Sequence, residues 1–332
     1  MTIILEVRES MQNNSLLKEM GIGLKAMENL LSQYIESNSP LLTEASLHLF
    51  QAGGKRIRPA FALLSGRCCG VDSNSMLPLA AALELIHMAS LVHDDVVDNS
   101  FTRRGISTVK AQWGNKVSLH TGDYLLAKSL LLISQYEQPQ VAKIIADVSV
   151  EMCEGEIQQI ATAHDPGQTI KDYFYRINRK TAMLISASCR LGAVVSNAPA
   201  VLERALARYG HYLGMAFQIV DDILDLTAEQ KELGKPVGSD FRQGIITLPT
   251  IYALRHSQKT GVLESIVRNK SKTEEEIQLA ISLIKDSGAI EYSFTVASRF
   301  INKAKKQLQH IPLTEHQEAL ASLADFVQNR RF

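Results

Sequence analysis

Apolar residues recur at three- and four-residue spacings along almost the whole chain, as in Leu77, Ala80, Ala81, Leu85, Met88, Leu91 and Val92. That period gathers them on one stripe of an α-helix, whereas the alternation of a half-buried strand is scarce. The expected fold class is all-α, a helical bundle. Helices are predicted near 16–36, 40–50, 58–70, 74–99, 115–136, 138–164, 169–196, 199–228, 244–257, 272–287, 290–310 and 313–329. Turn residues cluster at the breaks: Asn38 to Pro40, Gly53-Gly54, Asp72 to Asn74, Asp165-Pro166-Gly167, Asn197 to Pro199, and Gly234 to Gly244. None reads as a linker. One domain over 1–332 is expected, with 1–38 as an N-terminal helical extension and the chemistry-bearing motifs within 53–240.

A chain of 332 residues with 45% hydrophobic content can bury a sizeable core without staples. Its 35 basic residues balance its 35 acidic ones, so no net field favours nucleic acid or an anionic membrane as a general partner. The four cysteines, Cys68, Cys69, Cys153 and Cys189, form no C-x-x-C pair and no His/Cys ligand spacing, which argues against a zinc site or a disulfide framework. The apolar run within Met1 to Met11 is broken by Glu6, Arg8 and Glu9, too short for a signal peptide. No uninterrupted apolar run reaches the roughly 18 residues of a membrane span. A cytoplasmic location is the expectation.

Asp-Asp-x-x-Asp occurs twice, as Asp94-Asp95-Val96-Val97-Asp98 and Asp221-Asp222-Ile223-Leu224-Asp225. On a helix, positions i and i+4 share a face, so Asp94 pairs with Asp98 and Asp221 with Asp225, while Asp95 and Asp222 point about 100° away. Carboxylates one turn apart repel and need a counter-charge. Mg2+ prefers oxygen ligands and binds through one or two carboxylates plus substrate phosphates, so two facing helices of this kind could clamp a diphosphate between metal ions. A solvated acidic face is the bland reading. The apolar residues flanking both copies, Leu91, Val92, Val96 and Val97 with Ile219, Val220, Ile223 and Leu224, argue against it.

Cations accompany the carboxylates. In Gly53-Gly54-Lys55-Arg56-Ile57-Arg58-Pro59 the glycines free the backbone to approach phosphate, arginine binds it in bidentate fashion, and lysine acts as a point charge. Arg103-Arg104-Gly105 follows the first acidic motif, and Arg179-Lys180-Thr181 and Lys235 are further candidates. Each also reads as an ordinary basic loop or an exposed cation. Gln218 lies on nearly the same face as Asp221 and could orient substrate, or be merely a polar helix residue. His87 stands two turns before Asp94 on an apolar face, as a core histidine or a phosphate contact. His93 reads as a support for the motif.

Taken together and in order, these motifs with Lys180-Thr181, Phe217-Gln218 and Gly234-Lys235-Pro236 resemble the trans-polyprenyl diphosphate synthases over roughly residues 40 to 332. Within that family, Gln51 to Gly66, Glu84 to Asp98 and Leu233 to Pro249 most resemble the catalytic component of the heptaprenyl synthases. The resemblance implies helices around a deep cavity and addition of isopentenyl units to an allylic diphosphate, with farnesyl diphosphate as the expected primer. It implies that Lys55, Arg58, His87 and Arg104 hold isopentenyl diphosphate. Asp94, Asp98 and Asp221 would ligate Mg2+, with Asp95, Asp222 and Asp225 as further partners. Arg103, Lys180, Thr181, Gln218 and Lys235 would bind the allylic diphosphate.

The chemistry expected is ionisation of the allylic diphosphate, attack by the isopentenyl double bond and loss of a proton, with water excluded. In the family, a bulky aromatic just before the first acidic motif stops growth early. Ala89 and Ser90 occupy that place here, so the expected product is about thirty to forty carbons long, heptaprenyl favoured. The resemblance also implies either a homodimer or a heterodimer with a small regulatory subunit, peripheral membrane contact for product release, and use in menaquinone biosynthesis. A class I terpene cyclase would carry an Asn/Ser/Glu-type second motif in place of Asp221 to Asp225. A geranylgeranyl or similar short-chain synthase is a rival reading, and so is a non-catalytic synthase-like regulatory subunit. The intact motifs argue against the latter.

Overall fold

The computed structural model describes residues 14–227 and 237–329. The chain runs through α1 (Asn14–Tyr34), α2 (Pro40–Gln51), α3 (Ile57–Cys68) and α4 (Ser73–Val97) into a two-stranded antiparallel hairpin, β1 (Thr102–Arg103) and β2 (Ile106–Ser107). Then follow α5 (Val109–Ile133), α6 (Pro139–Ala161), α7 (Ile170–Ile177), a π turn (Asn178–Ala182), α8 (Met183–Val195) and α9 (Ala200–Thr227). The described part ends with α10 (Ser239–Arg242), α11 (Leu248–His256), α12 (Thr260–Arg268), α13 (Glu274–Asp286), α14 (Ala289–Leu308) and α15 (Glu315–Asn329). The fold is all-α, as expected.

Local chemistry sets several of these starts. Asp72 accepts from the Asn74 amide at 2.9 Å ahead of α4, and Thr108 accepts from the Ala111 amide at 3.1 Å ahead of α5. Thr169 with Asp172 and Thr273 with Glu276 form complete capping boxes on α7 and α13. Proline opens α2, α6 and α11, where its missing amide hydrogen costs nothing.

Two helices organise the interior. By length and composition α4 is apolar enough to cross a membrane, but Glu84 interrupts the run and the helix is buried on nearly all sides by α1, α3, α5 and α8. The second, α9, packs against α8, α14 and α15. Each carries its acidic motif near the end of its described length: Asp98 caps α4, its amide donating to the Asp94 carbonyl at 2.8 Å, and Asp221 to Asp225 lie in the last described turns of α9. Helix C-termini carry partial negative charge, so carboxylates placed there demand a cation.

The structure departs from the sequence reading in several places. The helix predicted over 169–196 is split by the π turn, whose wider coil accommodates one extra residue. The helix predicted from 115 begins at Val109 but kinks at Gly114 (φ 81°), so the expected start marks the second segment. A nine-residue helix, α12, has no counterpart among the predicted helices; Gly261 in its first turn weakens the local signal. The hairpin has two-residue strands, too short for any periodicity, and turns on Arg104 and Gly105 with φ of 53° and 81°.

Candidate active site

A cavity of about 840 Å³ opens between the C-terminal half of α4, the 52–56 loop with the first turn of α3, α6, the π turn and α9. Asp94, Asp221, Lys55, Arg58, His87, Arg104, Lys180, Thr181 and Gln218 all line it. Residues scattered over 167 positions of sequence, from Lys55 to Asp221, thus meet at one place.

On the acidic side, burial pushes the Asp94 carboxyl up to about 6; Lys180 opposes the rise, while Glu156 and Asp98 add to it. Burial also raises Asp98, again against Lys180 and with Glu156 adding. The Lys180 ammonium sits 2.5 Å from Glu156 and 3.9 Å from Asp94. Glycine permits the approach that brings it there. A Cβ on Gly155 of α6 would lie 2.9 Å from the Arg179 Cβ, and one on Gly214 of α9 would lie 2.7 Å from the Ala182 Cα. Both helices therefore press directly on the π turn.

The middle aspartates point elsewhere, as their helical phase requires. Asp95 is 2% exposed and receives Arg103 Nε at 2.9 Å and Nη2 at 2.7 Å, so these two candidates engage each other, and neither lines the cavity. Asp222 is buried and accepts from the Tyr173 hydroxyl and the Gln218 amide, both at 2.7 Å. Thr181 in turn donates to Gln218 Oε1 at 2.7 Å. Asp222 is pushed up to about 7 by burial and by Asp240, against the two hydrogen bonds and Arg176.

Asp225, expected as a further partner of the metal, is set differently from Asp221. It is 1% exposed, accepts from the Asp240 amide at 3.1 Å through its side chain, and accepts from the Gly238 amide at 2.7 Å through its carbonyl. The chain folds back over it after α9, and Asp221 alone of the second motif borders the cavity. Lys235 lies outside the described residues.

On the basic side, Gly53 (φ 74°) and Gly54 (φ 152°) shape the loop, and the Arg104 guanidinium occupies the space a Gly54 side chain would need. Arg104 also donates to the Gly53 carbonyl. Lys55 lies 5.5 Å over the Phe326 ring of α15. Arg58 Nε is buried and makes no hydrogen bond among the described residues, and burial lowers this guanidinium to about 10, leaving it charged at neutral pH. The His87 imidazole is held far below its ordinary range by burial and by Arg58, Arg104, Arg103 and Arg56. It is neutral at physiological pH and can donate one N–H to an anion.

Beyond the charged mouth, Ala89 and Ser90 border the cavity, and Ser90 donates to the His87 carbonyl at 2.8 Å. Leu126, Ser149, Met152 and Cys153 on α5 and α6 line the cavity as well, none of which sequence reasoning selected. Glu156 was missed as well. The acid-rich run Glu151, Glu154, Glu156 was a visible signal, and the structure uses it to hold Arg179 (2.5 and 3.1 Å) and Lys180.

Comparison with known proteins agrees with this geometry. Residues 39–284 match the family model described as "Polyprenyl synthetase". The chain is 45% identical to heptaprenyl diphosphate synthase component 2 of Bacillus subtilis over 309 residues, covering 93% of this chain and 88% of that protein. Among solved structures, heptaprenyl diphosphate synthase of Staphylococcus aureus is similar with a TM-score of 0.90 at 38% identity, covering 94% of this chain and 99% of that one. A polyprenyl synthase of Caulobacter crescentus, complexed with calcium and isoprenyl diphosphate, gives 0.92 at 35% identity, covering 96% and 97%. With the motifs gathered on one cavity and the likeness running over nearly the full length, the chain belongs to the polyprenyl synthetase family of prenyltransferases.

Proposed function

We propose that the protein is a trans-polyprenyl diphosphate synthase that extends an allylic diphosphate, farnesyl being the favoured primer, with isopentenyl diphosphate to a heptaprenyl product. One observation carries this reading: a single cavity is bordered by Asp94 and Asp221 on one side and by Lys55, Arg58 and Arg104 on another, with an apolar extension beyond them. A charged mouth for two diphosphates and a dry pocket for a growing chain are what such a reaction requires.

The donor set suits Mg2+. Asp94, Asp98 and Asp221 offer hard carboxylate oxygens, and burial beside Glu156 makes the unneutralised Asp94 and Asp98 carboxylates costly. When bound, Mg2+ would neutralise charge developing on the departing diphosphate. Lys180, Thr181 and Gln218 would orient that diphosphate, joined by Arg103 and Lys235. Asp222 would hold Gln218 in place, Asp95 would hold Arg103, and Asp225 would tie α9 to the following loop. Lys55, Arg58, Arg104 and neutral His87 would fix the isopentenyl diphosphate so that its double bond meets the allylic cation. The released diphosphate is the base we favour for the departing proton.

The exposed apolar residues Leu119, Leu126 and Leu130 on α5, and Val150, Ile157 and Ile160 on α6, support a partner subunit, either a second copy or a small regulatory subunit. The name "component 2" carried by the B. subtilis relative favours the regulatory subunit. The four free thiols suit a cytoplasmic setting, and menaquinone biosynthesis is the use we favour for the product.

The test is incubation of the purified chain with Mg2+, farnesyl diphosphate and isopentenyl diphosphate, with and without a candidate small subunit, and chromatography of the dephosphorylated product. Heptaprenyl is expected. A product no longer than geranylgeranyl in both arms would overturn the chain-length reading.

A further inference from the structure

Arg56 sits at the centre of the basic loop, between Lys55 and Arg58, yet it is 3% exposed and each of its three guanidinium nitrogens is already engaged. Nη1 donates to Glu84 Oε1 at 2.7 Å, Nε to Glu28 Oε1 at 3.0 Å, and Nη2 to the Phe50 carbonyl at 3.3 Å. The guanidinium also lies 5.0 Å over the Phe50 ring. Its backbone is left-handed (φ 52°, ψ 39°), an uncommon conformation for arginine, and it forms the N-cap of α3. Two glycines precede it, so the loop has wide conformational freedom and little of its own to hold one shape.

We propose that Glu28 on α1 and Glu84 on α4 are positioning residues for the isopentenyl diphosphate subsite, acting through Arg56 to hold the 53–56 loop and the first turn of α3, with Lys55 and Arg58, at the cavity before substrate arrives. The inference rests on the reading of that subsite given above. Glu84 is a carboxylate at the wall of a site for anions, where a negative charge would otherwise oppose binding. Its attraction to Arg56, Arg58 and Arg104 offsets the repulsion these arginines exert on one another while the site is empty. Glu28 does not line the cavity, and it lies outside the 39–284 region matched by the family model. The first described helix thereby acquires a role in substrate binding that its place in the sequence conceals.

Glu28 gives a test in which two explanations predict opposite signs. If its charge acted on substrate through space, removing it would tighten binding of an anion. If it positions Arg56, removing it weakens binding. We expect E28A to raise KM for isopentenyl diphosphate about five- to tenfold, the size of one ordinary net hydrogen bond felt through Arg56, with KM for the allylic diphosphate changed less than about twofold. E28Q removes the same charge but keeps an oxygen for Arg56 Nε, and should bring the isopentenyl KM back to within about twofold of wild type. Should E28A fail to fold by thermal melting, E28D keeps the charge, withdraws the carboxylate by one methylene, and carries the same expectation. An unchanged or lowered isopentenyl KM, or an equal rise for both substrates, would overturn the proposal. R58A is the control for the underlying reading: if it leaves the isopentenyl KM unchanged the subsite is misassigned, whereas a selective rise with a silent E28A sinks the positioning role alone.

Discussion

Arg103 closes a two-nitrogen fork on the buried carboxylate of Asp95, with Nε at 2.9 Å and Nη2 at 2.7 Å, and so ties the hairpin strand β1 to the last turn of α4. The pair spans a surface boundary: the Arg103 side chain is 26% exposed and that of Asp95 2%. Removing the arginine would leave a charge facing the interior without its partner. R103A is expected to lower stability by about 2 kcal/mol, and a double-mutant cycle with D95A to show a coupling above about 1 kcal/mol. Urea unfolding of the four proteins measures both, and additive effects would refute the pairing.

His87 supplies a pH dependence. Its folded-state pKa lies well below the ordinary 6.5, through burial and the surrounding arginines. Below pH 6.5 the unfolded chain takes up a proton that the folded chain refuses, so stability falls as pH drops from about 6.5 toward the depressed value and is level in this respect above it. H87Q, which cannot titrate, is expected to lose less stability than wild type between pH 7 and pH 5. Urea midpoints at the two pH values decide; parallel losses would exclude the histidine as a source.

Arg58 carries a guanidinium whose Nε has no hydrogen bond among the described residues. A charge-assisted contact to diphosphate of about 2–3 kcal/mol corresponds to a rise of roughly 30- to 150-fold in KM for isopentenyl diphosphate on R58A. Lysine restores the charge without the fork, so R58K should recover only part of that loss. Steady-state kinetics with each substrate varied in turn gives the comparison.

Metal dependence follows from Asp94 and Asp221. Chelation is expected to abolish condensation and Mg2+ to restore it, and D94A and D221A should each lower kcat at least about a hundredfold. D225A is expected to act differently, through the 1%-exposed contact with the Asp240 amide, with a loss of stability larger than its loss of Mg2+ affinity. Titrating activity with Mg2+ alongside thermal melts separates the two.

Product length is addressed at Ser90, which borders the cavity and is half-buried, whereas Ala89 beside it is 3% exposed. S90F should shorten the product by several isoprene units while retaining turnover. Chromatography showing full-length product would direct attention to Met152 and Cys153, which also line the cavity.

Much of this was legible in the sequence. The 3.6-residue period of apolar side chains located the long helices, because an amphipathic helix must bury its stripe whatever its partners. Asp94 and Asp221, Lys55, Arg58 and Arg104 were readable as a metal and diphosphate site from residue type and order, and they line one cavity. Helical phase also foretold that Asp95 and Asp222 would face away from their neighbours.

Partnership was beyond its reach. Nothing in Lys55-Arg56-Ile57-Arg58 distinguishes the arginine bound internally by Glu28 and Glu84 from the one at the cavity, because those carboxylates come from two other helices. Phase alone made Asp225 the equal of Asp221; only the return of the chain past Gly238 and Asp240 buries one and leaves the other at the cavity. Short-range patterns follow from the covalent chain and the geometry of the helix, so the sequence by itself determined the elements and the inventory of charges. Which charges neutralise one another depends on contacts between residues far apart in sequence, and that was decided only when the helices packed.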